Sequence, residues 1–437
     1  MKSKIKHWPK PKGRSLSASS DLDLFYLSMN LAQKYGSFSK EILAEELSER
    51  VKGLLLIREL SPSALDKLLK ELKAFGWVSG DITTQNGSFD IKSFKLTESG
   101  KTAYDLYNSN NREFLHLLIR KMHEEYTIPG WFVNRLWQIN PKGRGQVIIP
   151  APVKAWNPSG RLWENKEWDI ELEEQTLESK RIINKLATGS FEVEDSNWID
   201  EVKNAWLSQG ETVRKKYQGL KDVTHYSPRR RLALAMRAAA VHILFNTSIP
   251  STKKSEFNTI KSPLEPRSFS AWCPRLDELE LIFYTDFNPK IPGRIIFPIA
   301  SFKDKVAISG KYEEINEIQN LEGKHICLHK PEWVKLKPLF LEVLYIESQV
   351  LYRRTKALYV SVQDLRDEVC RQLRISSASF NEFLHLATIE SLEKESNLRI
   401  SLETDIREDQ RNSYQQRRRP VIVNNNLISL IAITKAG

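Results

Sequence analysis

Cysteine is scarce: Cys273, Cys327 and Cys370 are the only 3 in 437 residues. An odd, widely spaced set argues against a disulfide framework, so a reducing, cytoplasmic setting is expected. Long apolar runs are missing too. The longest, LALAMRAAAVHILF, is too short to span a bilayer and carries Arg237 and His242, so no membrane partner is expected. The basic stretch MKSKIKHWPKPKGRSLSASS lacks the apolar segment of a secretory signal and reads as a flexible basic arm, residues 1–20.

Motifs of catalysis are equally absent. There is no Gly-x-x-x-x-Gly-Lys-Ser/Thr phosphate loop, no Gly-x-Gly-x-x-Gly after a strand, no Gly-x-Ser-x-Gly elbow and no His-Glu-x-x-His helix. The nearest nuclease-like carboxylates, Asp277 and Glu280 ahead of Lys290, run into a proline-rich turn. His325, Cys327 and His329 alternate along KHICLHK, but on one strand they span about 13 Å. A single zinc, with bonds near 2 Å, does not reach all three. The expectation is therefore no catalytic residue, no metal, no cofactor and no enzyme.

What the chain has in excess is positive charge. Lys and Arg number 66 against 55 Asp and Glu, a formal net charge of +11. With 41% hydrophobic and 28% charged residues, the composition is that of a folded protein of two to four domains. Such a basic balance favours a polyanionic partner, most simply nucleic acid.

The N-terminal quarter has a clear order. DLDLFYLSMNLAQKY, residues 21–35, places Leu24, Leu27, Leu31 and Tyr35 at helical spacing, and Gly36 stops it. Ser39 caps a second helix with Ile42, Leu43 and Leu47 on its apolar side. Ser61 and Pro62 start a third, whose stripe is Leu65, Leu68, Leu69, Leu72 and Phe75, and Gly76 ends it. Trp77 and Val78 open a strand, Asn86 and Gly87 mark a turn, and Phe94 and Leu96 lead into a helix that begins at Thr97–Gly100.

The run GWV, followed by FKLTESGKTAYDL, resembles the winged-helix (helix-turn-helix) DNA-binding domains of PadR- and MarR-type regulators over about residues 21–108. In those families the wing's second strand runs into a similar Leu-Thr-x-x-Gly segment. The resemblance implies that the third helix reads DNA. Ser63, Lys67 and Lys70 lie opposite its leucines, and Lys92 sits in the wing. The lysines would meet phosphates or guanines, and Ser63 a phosphate at the helix start. Lysines opposite leucines also mark any amphipathic surface helix, and Glu71 dilutes the positive field.

Residues 333–437 repeat this grammar. WVKLKPLFLEVLYIESQVLYRRT reads as a long helix, SVQDLRDEVCRQLRIS as a second capped by Ser361, and SASFNEFLHLATIESLEK as a third capped near Ser377 or Ser379. NLRISLE alternates as a strand, and PVIVNNNLISLIAIT reads as a hairpin around Asn424, Asn425 and Asn426. The third helix is acidic, with Glu382, Glu390 and Glu393. The better nucleic-acid surface is the loop before the hairpin, where Arg411, Arg417, Arg418 and Arg419 surround Tyr414, Gln415 and Gln416. Its ordinary alternative is a solvated loop or a contact with an acidic protein.

Between the modules, residues 111–260 read as mostly helical and 261–332 as β-rich. Trp131, Trp137, Trp156, Trp163 and Trp168 alternate with Arg135, Lys142, Arg144, Lys154 and Arg161, a pattern that suits a single-strand groove; tryptophans near prolines more often lock loops onto a core. Arg229, Arg230 and Arg231 open a helix at Ser227–Pro228, where the helix dipole disfavours cations unless a phosphate accompanies them.

The expected fold is a multi-domain α+β chain: a basic arm (1–20), a winged helix (21–110), a helical middle (111–260), a β-rich segment (261–332) and a second winged-helix-like domain (333–437). The expected function is non-enzymatic binding of double-stranded DNA, as the recognition subunit of a bacterial DNA-processing or phage-defence assembly with protein partners. Single-stranded nucleic acid is a secondary candidate partner. The alternatives are a transcriptional regulator acting as a dimer, and a scaffold whose winged helices dock proteins.

Overall fold

The computed structural model describes residues 21–36, 41–42, 45–46, 69, 71–80, 82–85, 88–91, 94–126, 128–140, 144–150, 266–285, 293–302, 309–319, 325–393, 396–404, 421–424 and 426–435. These residues form a mixture of helices and small antiparallel sheets. Their buried apolar side chains, from Phe25 to Ile433, make one continuous cluster. No helix among them is long and apolar enough to cross a membrane.

Helix α1 (Asp21–Tyr35) has the expected bounds. Phe25, Met29, Leu31 and Ala32 are buried with Ser28, whereas Tyr35 is exposed. Of the expected stripe, Leu31 thus faces the core and Tyr35 does not, and the side chains of Leu24 and Leu27 lie outside the described residues. The helix that ends at Gly76 buries Leu69, Leu72 and Phe75 as its spacing predicts. Gly76 takes a positive φ of 71°, a conformation open to glycine at little cost.

Strands β1 (Val78–Ser79) and β4 (Lys95–Leu96) pair with each other, and β2 (Ile82–Gln85) and β3 (Ser88–Ile91) form the hairpin that encloses Asn86–Gly87. The two ladders are out of register by one residue. Thr97 then caps α2 (Glu98–Ser109), its hydroxyl accepting from the Gly100 amide at 3.0 Å. The Thr97 and Ser99 hydroxyls both donate to the Gly76 carbonyl, at 2.5 and 2.7 Å. The Thr-Glu-Ser-Gly turn thus ties the end of the third helix to the start of the next.

Helices α3 (Asn111–Tyr126) and α4 (Ile128–Ile139) follow, then β5 (Val147–Pro150). Residues 266–278, inside the segment 261–332 expected to be β-rich, are instead helical: α5 (Pro266–Glu278) precedes β6 (Ile282–Thr285) and β7 (Gly293–Pro298). Strand β7 pairs with β6 on one side and β5 on the other, joining residues far apart in the chain. Phe283 and Phe297, directly opposite in that ladder, stack at 4.8 Å. A second sheet has the order β8 (Ser301–Phe302), β10 (His325–Lys330), β9 (Lys311–Gln319).

The C-terminal elements are α6 (Trp333–Thr355), β11 (Val360–Ser361), α7 (Val362–Leu373), α8 (Ser377–Leu392), β12 (Leu398–Glu403), β13 (Val421–Val423), β14 (Asn426–Ile428) and β15 (Leu430–Lys435). Ser361 caps α7 as expected, accepting from the Asp364 amide at 3.3 Å. The cap of α8 is Ser376, one residue before the expected start. The segment read as one hairpin divides: β13 and β14 pair together, while β15 leaves them to become the central strand of a sheet ordered β11-β15-β12.

Candidate nucleic-acid interface

All the residues expected to bind DNA lie outside the described residues: Ser63, Lys67, Lys70, Lys92, Arg229, Arg230, Arg231, Arg411, Arg417, Arg418 and Arg419. Their neighbours define how the chain approaches and leaves them.

The helical turn that ends at Gly76 is anchored at Glu71. Its carboxylate is held by both guanidinium nitrogens of Arg275 on α5, Nη2 donating to Oε2 at 2.8 Å and Nη1 to Oε1. Glu71 is 5% and Arg275 7% exposed, so the pair is desolvated. Sequence reasoning had Glu71 diluting a positive surface; in the structure its charge is turned inward and matched.

The helix pair of the C-terminal module is similarly engaged. Helix α7 buries Leu365, Arg366, Asp367, Glu368, Val369 and Cys370 in succession, so it is covered on all sides. It packs against α6, α8, β11 and β6. Asp367, fully buried, accepts from the Thr285 hydroxyl at 2.6 Å and from Arg366 at 3.1 Å. The first turn of α8 is buried at Ser377 and Ser379, and the Ser376 hydroxyl donates to Glu280 at 2.7 Å. A helix whose first turn is covered in this way offers no amides or side chains there to a groove. Farther along, α8 exposes Glu382, Ile389, Leu392 and Glu393, an acidic and apolar surface.

The β12–β15 ladder runs from Leu398↔Lys435 to Glu403↔Leu430, and the Ser429 amide closes it on the Glu403 carbonyl at 3.0 Å. Residues 404–428 are therefore inserted at that end of the sheet, where a wing would stand. Within them, the β13–β14 hairpin buries Val421, Val423 and Ile428, and it packs against α8. The arginine-rich segment 405–420 leaves and returns between β12 and β13, outside the described residues.

A polar network that sequence reasoning missed fastens the centre. Arg112 on α3 donates from Nη1 to Glu280 at 3.3 Å and from Nε to Glu313 on β9. Glu313 is also met by Lys330 at 3.3 Å and by the His116 Nε2 at 3.2 Å. Burial works to raise the Glu313 carboxyl, but hydrogen bonds from Arg112 and Lys330 outweigh it and hold the pKa below the usual range. Burial likewise lowers His116. Glu280 stands in a left-handed turn, φ 56°, which aims its carboxylate between Arg112 and Ser376. Each carboxylate is committed to cations or hydroxyls, so the network clamps α3, the α5–β6 turn, β9 and α8 together. Asp277, read as a nuclease-like carboxylate, instead accepts from the Tyr284 amide at 3.2 Å. The sole sequence signal for this network was the Asp277/Glu280 pair itself.

Other expectations resolve individually. Trp131 is buried, and the Trp137 indole donates to the Ala300 carbonyl at 3.4 Å, so both serve packing rather than base stacking. Trp156, Trp163 and Trp168 lie outside the described residues. His329 is bonded to the Ser309 carbonyl and Cys327 is buried; among the described residues no group of three or more His, Cys, Asp or Glu is placed to hold a metal. Arg374, the left-handed cap of α7, lies over the Phe297 ring at 4.5 Å. Burial, with Arg144 and Arg371 nearby, lowers its pKa to about 9.

One pH effect follows from α3. Burial lowers His123 to about 4, with Glu124 opposing. The unfolded chain takes up this proton near 6.5, the folded chain only near 4, so the stabilisation is complete above 6.5 and is lost as pH falls towards 4. His123→Gln should flatten the fall of the urea midpoint across that window. An unchanged pH slope would assign the acid limb to other groups.

No family model, no curated protein and no solved structure matches this chain.

Proposed function

We propose that the chain is a non-enzymatic DNA-binding protein built on winged-helix modules, serving as the recognition subunit of a DNA-processing or phage-defence assembly. The observation that carries this reading is the C-terminal order: helix, strand, helix, helix, strand, inserted hairpin, strand, with the last strand central in β11-β15-β12. This order agrees with a winged helix, and the arginine-rich segment 405–420 falls in sequence between β12 and β15, where the reading puts a wing. The net charge of +11 agrees with a phosphate-rich partner. Because the first turn of α8 is covered, contact falls to the wing arginines and to the N-terminal Lys67 and Lys70 rather than to α8.

The test is duplex affinity across a salt series. Wild type should lose affinity steeply with salt. Arg417/Arg418/Arg419→Ala should weaken binding about tenfold or more at ~0.1 M salt and lower the log–log salt slope by about 2 to 3. Lys67/Lys70→Ala should show a smaller loss of the same kind. Weak binding without salt dependence would reject the DNA reading. The second reading, docking of a protein, is favoured by one surface: the acidic and apolar outer face of α8, where Leu392 is 75% exposed.

A further inference from the structure

The C-terminal end of α6 carries a cationic patch apart from the residues discussed above. Residues 352–358, YRRTKAL, are all exposed and hold Arg353, Arg354 and Lys356 without an acidic residue. The side chains of Arg353 and Lys356 form no ion pair with another described residue. Cations in a last helical turn are common, because they complement the helix dipole. Their placement against the sheet is what gives this set a function.

Helix α6 lies along the central strand β15, running the opposite way. The Lys435 ammonium stands 5.2 Å over the Tyr345 ring, and one turn later Gln349 donates to the Ile433 carbonyl at 3.3 Å. Four helical residues and two strand residues each advance about 6 to 7 Å, so the helix and strand keep step. The next turn brings Arg353 level with Ile431, one residue from the Glu403↔Leu430 rung at which the wing insertion begins. Strand β11 agrees, pairing Val360 with Ile431 and Ser361 with Leu430. At the same edge the Tyr359 hydroxyl bonds Glu403, which raises the tyrosine pKa and engages that carboxylate. The patch and both ends of the 404–428 insertion, Glu403 and Ser429, therefore lie at one end of the sheet.

We propose that Arg353, Arg354 and Lys356 form a second phosphate-binding site that holds the backbone of the same DNA duplex the wing contacts. The patch rests on the DNA-binding reading above and adds to it a position and a polarity: the duplex lies across the wing end of the β11-β15-β12 sheet, next to the C-terminus of α6. Three cations within about one turn release condensed counterions when they meet phosphates, whatever the base sequence. Tyr352 and Leu358, 44% and 65% exposed, flank them.

The experiment compares the full chain with Arg353→Glu/Lys356→Glu and with the milder Arg353→Gln/Lys356→Gln, leaving Arg354 in place. Binding to a random-sequence duplex is read by fluorescence anisotropy across a salt series. Both side chains are exposed, so melting should be unchanged, and the glutamine pair decides if the glutamate pair alters it. Affinity should fall about tenfold for the glutamine pair at ~0.1 M salt, and the salt slope should drop by about 2, near 0.9 per lost phosphate contact. Arg353→Lys/Lys356→Arg should bind as wild type. A steep wild-type curve with both variants superimposed on it would overturn the patch and leave the DNA reading standing. A wild type with weak, salt-independent binding would overturn both.

Discussion

Gly100→Ala is expected to destabilise the fold by about 3 kcal/mol. A Cβ at position 100 would overlap the carbonyl oxygen of Trp77, a backbone atom. That carbonyl already accepts from the Thr97 amide at 3.1 Å. Nor can the Trp77 segment withdraw: its side chain is fully buried, with its ring 5.4 Å from Phe75 and 5.9 Å from Phe114. Gly36→Ala is the contrasting case. Gly36 has a positive φ of 64° but nothing within 4 Å of its Cβ position, so only the left-handed backbone penalty of about 1 kcal/mol applies. The check is the urea midpoint of each variant at constant slope. Equal losses at the two glycines would mean that the Trp77 carbonyl does not hold position 100 in contact.

Arg275→Met should be as damaging, for an electrostatic reason. It removes the guanidinium and leaves the Glu71 carboxylate buried without its partner, a change that typically costs about 3 to 5 kcal/mol. The pair itself adds far less than that, because both charges had to be taken out of water first. Glu71→Leu/Arg275→Met, which removes both charges, should therefore recover most of the loss. The two single costs should exceed the double by about 1 kcal/mol or more, the signature of residues in contact. Strict additivity would show that Glu71 and Arg275 do not act as a pair. The paired substitution also tests function, since Glu71 anchors the helical turn that follows Lys67 and Lys70 in sequence. If that helix must hold one position to read DNA, duplex affinity should fall in the single variant and return in the double.

The elements themselves were largely readable, and the reason is local. Helix α6 runs over the residues its periodicity indicates, Ser361 caps α7, and Thr97 caps α2, because spacing and capping act within a turn or two of chain. Where the local pattern was ambiguous, packing chose. In α1, helical spacing put Leu31 and Tyr35 on one stripe, yet Leu31 is buried with Phe25, Met29 and Ala32 while Tyr35 is exposed. Helix α5 was hidden by its own Pro274, which as a helix breaker argues against the conformation that forms. The division of residues 421–435 between a hairpin and a central strand depends on β11 and β12 as partners, and no turn signal within the segment expresses that.

Sequence alone determined the net charge, most of the described helices with the caps at Thr97 and Ser361, and the arginine-rich segment before β13. Those properties depend on composition and on neighbours within a few residues. Tertiary structure alone decided which charges face inward. Glu71 meets Arg275 across 204 residues, and Arg112 meets Glu280 across 168 and Glu313 across 201. A charge far from its partner in sequence looks like any solvated surface charge. Only burial, which makes an unpaired charge too costly to keep, turns Glu71 from a blemish on a basic helix into its anchor.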